Sequence, residues 1–182
     1  MTDDKENKKI SKFVSLVLRH KPEVIGLTID RNGWATTNEL LEKINAHGQN
    51  ITAELLDHIV AANNKKRFSF NKNKTKIRAN QGHSLDIDLN LEETTPPEYL
   101  YHGTGERTVA TILASGIDKR ERQQVHLSAD EETAKMVGQR HGKPKILIVC
   151  AGQMKADGFT FYLSDNNVWL TDHVPAMYLK LA

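Results

Sequence analysis

One cysteine, Cys150, stands in a chain of 182 residues. A single thiol forms no internal disulfide and builds no multi-cysteine zinc site, so disulfide-stapled and zinc-cysteine scaffolds are excluded. Long hydrophobic runs are missing too. The longest, ILIVCAG at 146–152, falls far short of the roughly 18 to 20 apolar residues that cross a bilayer. The opening MTDDKENKKI is charged and shows no apolar run before a small-residue cleavage site, so a cytoplasmic protein is expected. No GxGxxG follows a strand and no GxxxxGK[ST] occurs, which leaves Rossmann and P-loop nucleotide sites without support. HExxH is also absent, and no metal is expected.

What is present is an ordinary globular composition, 38% hydrophobic and 26% charged, long enough for one domain or two small ones. The net charge of +2 hides an uneven distribution. Residues 1–84 hold 15 Lys and Arg against 9 Asp and Glu, residues 85–93 hold 4 acids and no base, and residues 94–182 hold 10 of each. A basic first part, an acidic connector and a neutral second part predict that only the first part meets a polyanion. Solvation of surface lysines is the plainer reading of the same count.

Helical spacing of Ile10, Phe13, Val14, Val17 and Leu18 predicts a helix over 10–20, stopped by Pro22. Thr37 reads as the N-cap of NELLEKINAHG, with Gly48 just past its end, and Thr52 opens a third amphipathic run through Ile59 and Val60. RFSF, NKNK and TKIRAN then read as strand, turn and strand. Three helices and a hairpin resemble a winged helix. SLDIDLNLEETTPPE loses all positive charge and ends in Pro96-Pro97, which marks a linker and a boundary near 85–97. Beyond it, strand YLYHGT, helix ERTVATILASG, strand VHLS, helix DEETAKMVGQRHG and strand KILIVCA precede short strands to the end. The fold class is α+β, with domains at 1–90 and 91–182.

Taken locally, the residues able to do chemistry stay open to two readings each. Arg19-His20 ends a helix on the basic side of the chain, where a guanidinium fork and an imidazole could hold a phosphate or simply complement the helix dipole. Lys65-Lys66-Arg67 beside Phe68 and Phe70, followed by the row Lys72, Lys74 and Lys76, suits contact with a nucleic-acid backbone or plain solvation. YHGT at 101–104 ends a strand in small residues that let backbone approach a ligand. His126 sits in an apolar strand, where a core role is the simpler reading. Cys150 is expected to be buried and inert.

In order along the chain, LRHKP, GW, KKRF, IRANQGHS, TPPEYLYHGT, RQQVHLSAD, VGQRHGKP and VWLT resemble the bacterial KptA-type members of the RNA (tRNA) 2′-phosphotransferase family. The likeness runs from residue 10 to about 180. It implies a winged-helix RNA-binding lobe followed by an NAD-binding lobe of the ADP-ribosyltransferase fold. It also implies a transferase with NAD as co-substrate, acting on RNA that carries an internal 2′-phosphate. That phosphate would attack C1″ of NAD and expel nicotinamide, and O2″ of the ribose would then attack the phosphate. The products would be RNA with a 2′-hydroxyl and ADP-ribose 1″,2″-cyclic phosphate. Matched motif by motif, the family's essential Arg-His-Arg-Arg set falls on Arg19, His20, Arg67 and Arg122.

The resemblance further implies that His102, Gly103, Thr104, His126, Ser128, Arg140 and His141 line the NAD site. Many ADP-ribosyltransferases carry a glutamate on a third strand, and the matching stretch NNVWLT offers Val168 instead. A phosphate nucleophile is already anionic and needs no general base, so this departure argues against ordinary protein modification. The family's familiar role implies tRNA splicing or other RNA processing. A monomer is expected, since two lobes can close one site within one chain, and little base specificity, because phosphate and sugar contacts position without reading bases. Two other readings are a one-step ADP-ribosyltransferase acting on a nucleic-acid phosphate and a non-catalytic winged-helix nucleic-acid-binding protein.

Overall fold

A computed structural model of the protein describes residues 4–62 and 66–182, so Lys65 lies outside the described residues. The chain is α+β and separates into two compact units, residues 1–90 and 91–182. No helix among the described residues is long and apolar enough to cross a membrane.

The first unit opens with α1 (Asp4–Arg19), which begins six residues before the expected start because the charged DKENKK turns extend the same helix. Ile10, Val14, Val17 and Leu18 form one fully buried stripe. The backbone N–H groups of His20 and Lys21 both donate to the Leu16 carbonyl, at 2.9 and 3.0 Å, and close the helix ahead of Pro22. Strand β1 (Trp34–Thr36) leads into α2 (Thr37–Ala46), and α3 (Ala53–Ala61) follows. Thr36, not Thr37, caps α2, accepting from the Glu39 N–H at 3.4 Å. Thr37 is instead the first helical residue, buried, and its hydroxyl donates to the Lys74 carbonyl at 2.8 Å. Thr52 caps α3 as expected.

Strands β2 (Phe68–Phe70) and β3 (Lys76–Ala79) complete an antiparallel sheet in the order β1-β3-β2, with Trp34 opposite Arg78 and Phe68 opposite Ala79. Residues from all three helices and all three strands share one core, among them Leu40, Ile44, Leu56 and Ile77.

The second unit is built on antiparallel pairs. Strand β4 (Leu100–Gly105) is followed by α4 (Val109–Ser115), β5 (Ile117–Asp118), β6 (Val125–Leu127) and α5 (Glu131–Gly138). Then come β7 (Pro144–Val149), α6 (Ala151–Ala156), β8 (Tyr162–Leu163), β9 (Trp169–Thr171), β10 (His173–Val174) and β11 (Leu179–Leu181). Two three-stranded sheets, β11-β7-β4 and β6-β9-β8, meet where Tyr101 pairs with Ser128. Strands β5 and β10 pair separately. Leu100, Leu147, Met154 and Phe161 belong to this unit's own core.

Helix α6 falls in a stretch where only short strands were expected; its Ala151 and Met154 are buried. Cys150 is half-buried and sits just before that helix, not inside a strand, because the chain leaves the sheet there.

The stretch read as a linker is pinned to the unit on either side of it. Asp88 donates its N–H to the Arg31 carbonyl at 2.7 Å, and Asn32 reaches the Asp88 carbonyl at 2.7 Å. Beyond residue 90, Thr94 donates to the Phe161 carbonyl at 2.8 Å, and Glu93 pairs with Lys155.

Candidate functional site

In the first unit Arg19 ends α1 and His20 is the next residue, so both are delivered by the buried stripe that anchors the helix. Arg19 is half-buried and His20 exposed. A loop more than sixty positions away in sequence closes over them. The N–H of Ser84 donates to the Arg19 carbonyl at 3.0 Å, and Ser84 Oγ lies 3.0 Å from His20 Nδ1. The same loop begins at Asn80, whose N–H donates to the Arg67 carbonyl at 2.9 Å and whose side-chain amide donates to the Lys66 carbonyl at 2.7 Å. Asn80 thus holds the backbone that carries Arg67, next to a left-handed Lys66 with φ of 40°.

Beneath this loop lies His83, 1% exposed, with no hydrogen-bond partner for either ring nitrogen among the described residues. Burial, and then the positive charges of Arg19, His20 and Arg78, push its pKa down to about 3. Its ring is therefore neutral at physiological pH. Arg78 itself stacks over Trp34, its guanidinium carbon 4.7 Å from the ring centroid. The lysine row on the β2–β3 turn is less free than its spacing suggests. Lys74 pairs with Asp57 at 2.6 Å and Lys76 with Asp30 at 3.3 Å.

In the second unit Arg122 and His126 are brought together, with Arg122 Nη1 3.1 Å from His126 Nδ1. A guanidinium only donates, so His126 Nδ1 accepts and the proton of a neutral His126 sits on Nε2. Arg122 is solvent-exposed as a residue, yet partial burial of its head group, and secondarily the charge of Arg140, pull its pKa below the usual arginine value. It stays cationic regardless.

His102 Nδ1 approaches the His126 carbonyl at 3.5 Å. Its pKa is lowered chiefly by burial and further by the charges of Arg120, His141 and Arg122, against a raising contribution from the His126 carbonyl. Ser128 exchanges backbone hydrogen bonds with Tyr101, at 2.8 and 2.9 Å, and holds β6 beside β4. Gly103 faces α5, where a Cβ would fall on the Ala134 carbonyl, and the Thr104 hydroxyl lies 2.7 Å from that of Thr108. Arg140 and His141 are exposed in the turn after α5.

Within each unit, then, the motif residues gather. Arg19, His20 and the Arg67 backbone share one bracing loop, and Arg122, His126 and His102 form one chain of contacts. Asn80, His83, Ser84 and Arg120 were not singled out by the sequence. The first three sit inside the IRANQGHS fragment, which drew attention only as part of the likeness, and no local periodicity ties Ser84 to His20.

Residues 5–173 match the family described as RNA 2′-phosphotransferase, Tpt1/KptA family. The chain is 59% identical over 173 residues to a probable RNA 2′-phosphotransferase of Flavobacterium johnsoniae, covering 95% of each protein. It is 55% identical to one of Fusobacterium nucleatum subsp. nucleatum, covering 94% of this chain and 97% of the relative. It is 51% identical over 180 residues to one of Rhodopirellula baltica, covering 98% of each. A match over nearly the whole length, with the motif residues gathered in each unit, places the chain in the RNA 2′-phosphotransferase family of Tpt1/KptA type.

Proposed function

We propose that the protein is an NAD-dependent RNA 2′-phosphotransferase, with a winged-helix lobe that holds RNA and an NAD-binding lobe of the ADP-ribosyltransferase fold. RNA bearing an internal 2′-phosphate and NAD are converted to RNA with a 2′-hydroxyl, nicotinamide and ADP-ribose 1″,2″-cyclic phosphate, by way of a 2′-phospho-ADP-ribosylated RNA.

One observation carries this reading. In each unit the motif cations are brought together by tertiary contacts: Arg19-His20 and the Arg67 backbone are braced by the loop from Asn80 to Ser84, and Arg122 meets His126 at 3.1 Å. Guanidinium groups gathered in this way suit multiply charged anions, here the RNA phosphate for the first unit and the pyrophosphate of NAD for the second.

Arg19 and Arg67 bind the RNA 2′-phosphate through their donor forks, which match two phosphate oxygens at once. Arg122, held by His126, stabilises the negative charge that grows in the transition state. His20 takes the proton that the O2″ hydroxyl loses in the second step. His102, whose Nδ1 faces the His126 carbonyl, offers the lone pair of Nε2 to the nicotinamide half of NAD. Val168 supplies no carboxylate, and a phosphate nucleophile asks for none.

The test is incubation of the purified protein with NAD and a short RNA carrying one internal 2′-phosphate, in EDTA, with products identified by mass. Dephosphorylated RNA with nicotinamide and the cyclic phosphate is expected. RNA that retains ADP-ribose as the final product would replace this reading with a one-step transferase. No turnover and no NAD binding would leave a nucleic-acid-binding module.

A further inference from the structure

The loop from Asn80 to Ser84 ends beside His20, the imidazole that takes the proton in the proposed second step. Gly82, at φ of 85°, turns the chain there, and the buried His83 ring anchors the loop from below. Ser84 then meets Arg19-His20 twice, through its N–H to the Arg19 carbonyl and through its hydroxyl to His20 Nδ1, each at 3.0 Å. The side chain of Ser84 is exposed, so it fills no core. Its hydroxyl serves the contact with the ring.

An exposed imidazole at the end of a helix rotates about χ2 and exchanges its neutral proton between two nitrogens. A partner fixed by a separate backbone hydrogen bond restrains the rotation, and its hydroxyl, which both donates and accepts, can serve Nδ1 in either tautomer. We infer that Ser84 is a positioning residue that holds Nδ1 of His20 and so fixes one ring orientation, leaving the proton transfer of the second step to Nε2. The catalytic meaning of this arrangement rests on the function proposed above; the geometry does not.

The backbone bond from Ser84 to Arg19 survives replacement of the side chain, so Ser84→Ala removes the hydroxyl while keeping the loop in place. Ser84→Thr keeps the hydroxyl at an exposed position. Full-length parent, S84A and S84T are compared by nitrogen-detected histidine NMR, with the His20 signals identified by their loss in His20→Ala. The three proteins are also compared in single turnovers with NAD and 2′-phosphorylated RNA.

The parent and S84T should each show a His20 Nδ1 shift displaced by its hydrogen bond, and S84A an Nδ1 shift moved towards that of an imidazole in water. In single turnovers S84A should slow the second step about tenfold, less than the roughly 10²–10⁴ that an acid–base group itself contributes. Modified RNA should accumulate in S84A while the first step keeps its rate, and S84T should run as the parent does. An unchanged His20 Nδ1 shift in S84A, equal slowing of both steps, or an S84T as impaired as S84A would overturn the inference. A parent that never converts the RNA would defeat the proposed function, and the Nδ1 comparison would still decide whether Ser84 holds His20.

Discussion

His83 is a buried imidazole whose two nitrogens find no protein partner among the described residues, and its energetic consequence is a stability that depends on pH. Its pKa falls from an ordinary 6.5 in the unfolded chain to about 3 in the fold, first by burial and then through the charges of Arg19, His20 and Arg78. Because the folded value is the lower one, the unfolded chain takes up the proton first as pH falls. The neutral ring's contribution is complete above about pH 6.5 and is lost progressively from there towards pH 3, at about 1.4 kcal/mol per unit. Urea unfolding of the parent and His83→Gln at pH 7, 6 and 5 should show a parent whose advantage shrinks as pH falls, before carboxylates titrate. A difference between the two that stays constant over that window would mean that His83 is charged or solvated in the fold.

At the scale of elements, the packing of α5 on β4 explains why the strand carries glycine. A Cβ on Gly103 would fall on the Ala134 carbonyl, and one on Gly138 would crowd the Thr104 backbone. Gly103→Ala should therefore cost about 3 kcal/mol, the upper end for overpacking, because a helix backbone has to move. Gly48→Ala, at a helix end with open space around it, should cost less, only the strain of its positive φ. Thermal unfolding of the two variants measures the gap, and equal losses would refute the packing argument.

The sequence read the same strand as an approach path for a ligand, since small residues announce proximity without naming the neighbour. Elements with strong local signals were legible: the apolar stripe of α1, the Thr52 cap and the alternating Phe68 and Phe70. α6 was not, because six residues with a glycine among them show no full helical period. Nor was the partnership of Ser84 with His20, whose positions are joined by tertiary folding alone. The lysine row on the β2–β3 turn was visible as charge, but its neutralisation by Asp57 and Asp30 was not, since both partners come from other elements.

At the scale of the whole molecule, the two units divide the charge as well as the core. Residues 1–90 hold 15 Lys and Arg against 11 Asp and Glu, while residues 91–182 hold 10 against 12. The first carries +4 and the second −2, and each encloses its own hydrophobic cluster. Neutralising RNA phosphates releases condensed counterions, so binding by the positive unit weakens as salt rises, with a slope set by the number of phosphates engaged. A negative unit, several of whose lysines are paired with Glu106 or Glu93, has little such reach, although it can still hold a single dinucleotide.

Prepared separately, residues 1–90 should bind 2′-phosphorylated RNA with most of the full chain's salt slope and show no NAD binding, and residues 91–182 should do the reverse. Ala substitution of Lys72, which is exposed, should lower the RNA slope by about one ion. The same change at Lys74 or Lys76, each already paired with a carboxylate, should lower it less. If the salt dependence of RNA binding follows residues 91–182 instead, the acidic unit is the one that grips the polyanion, and the assignment of RNA to the first unit fails.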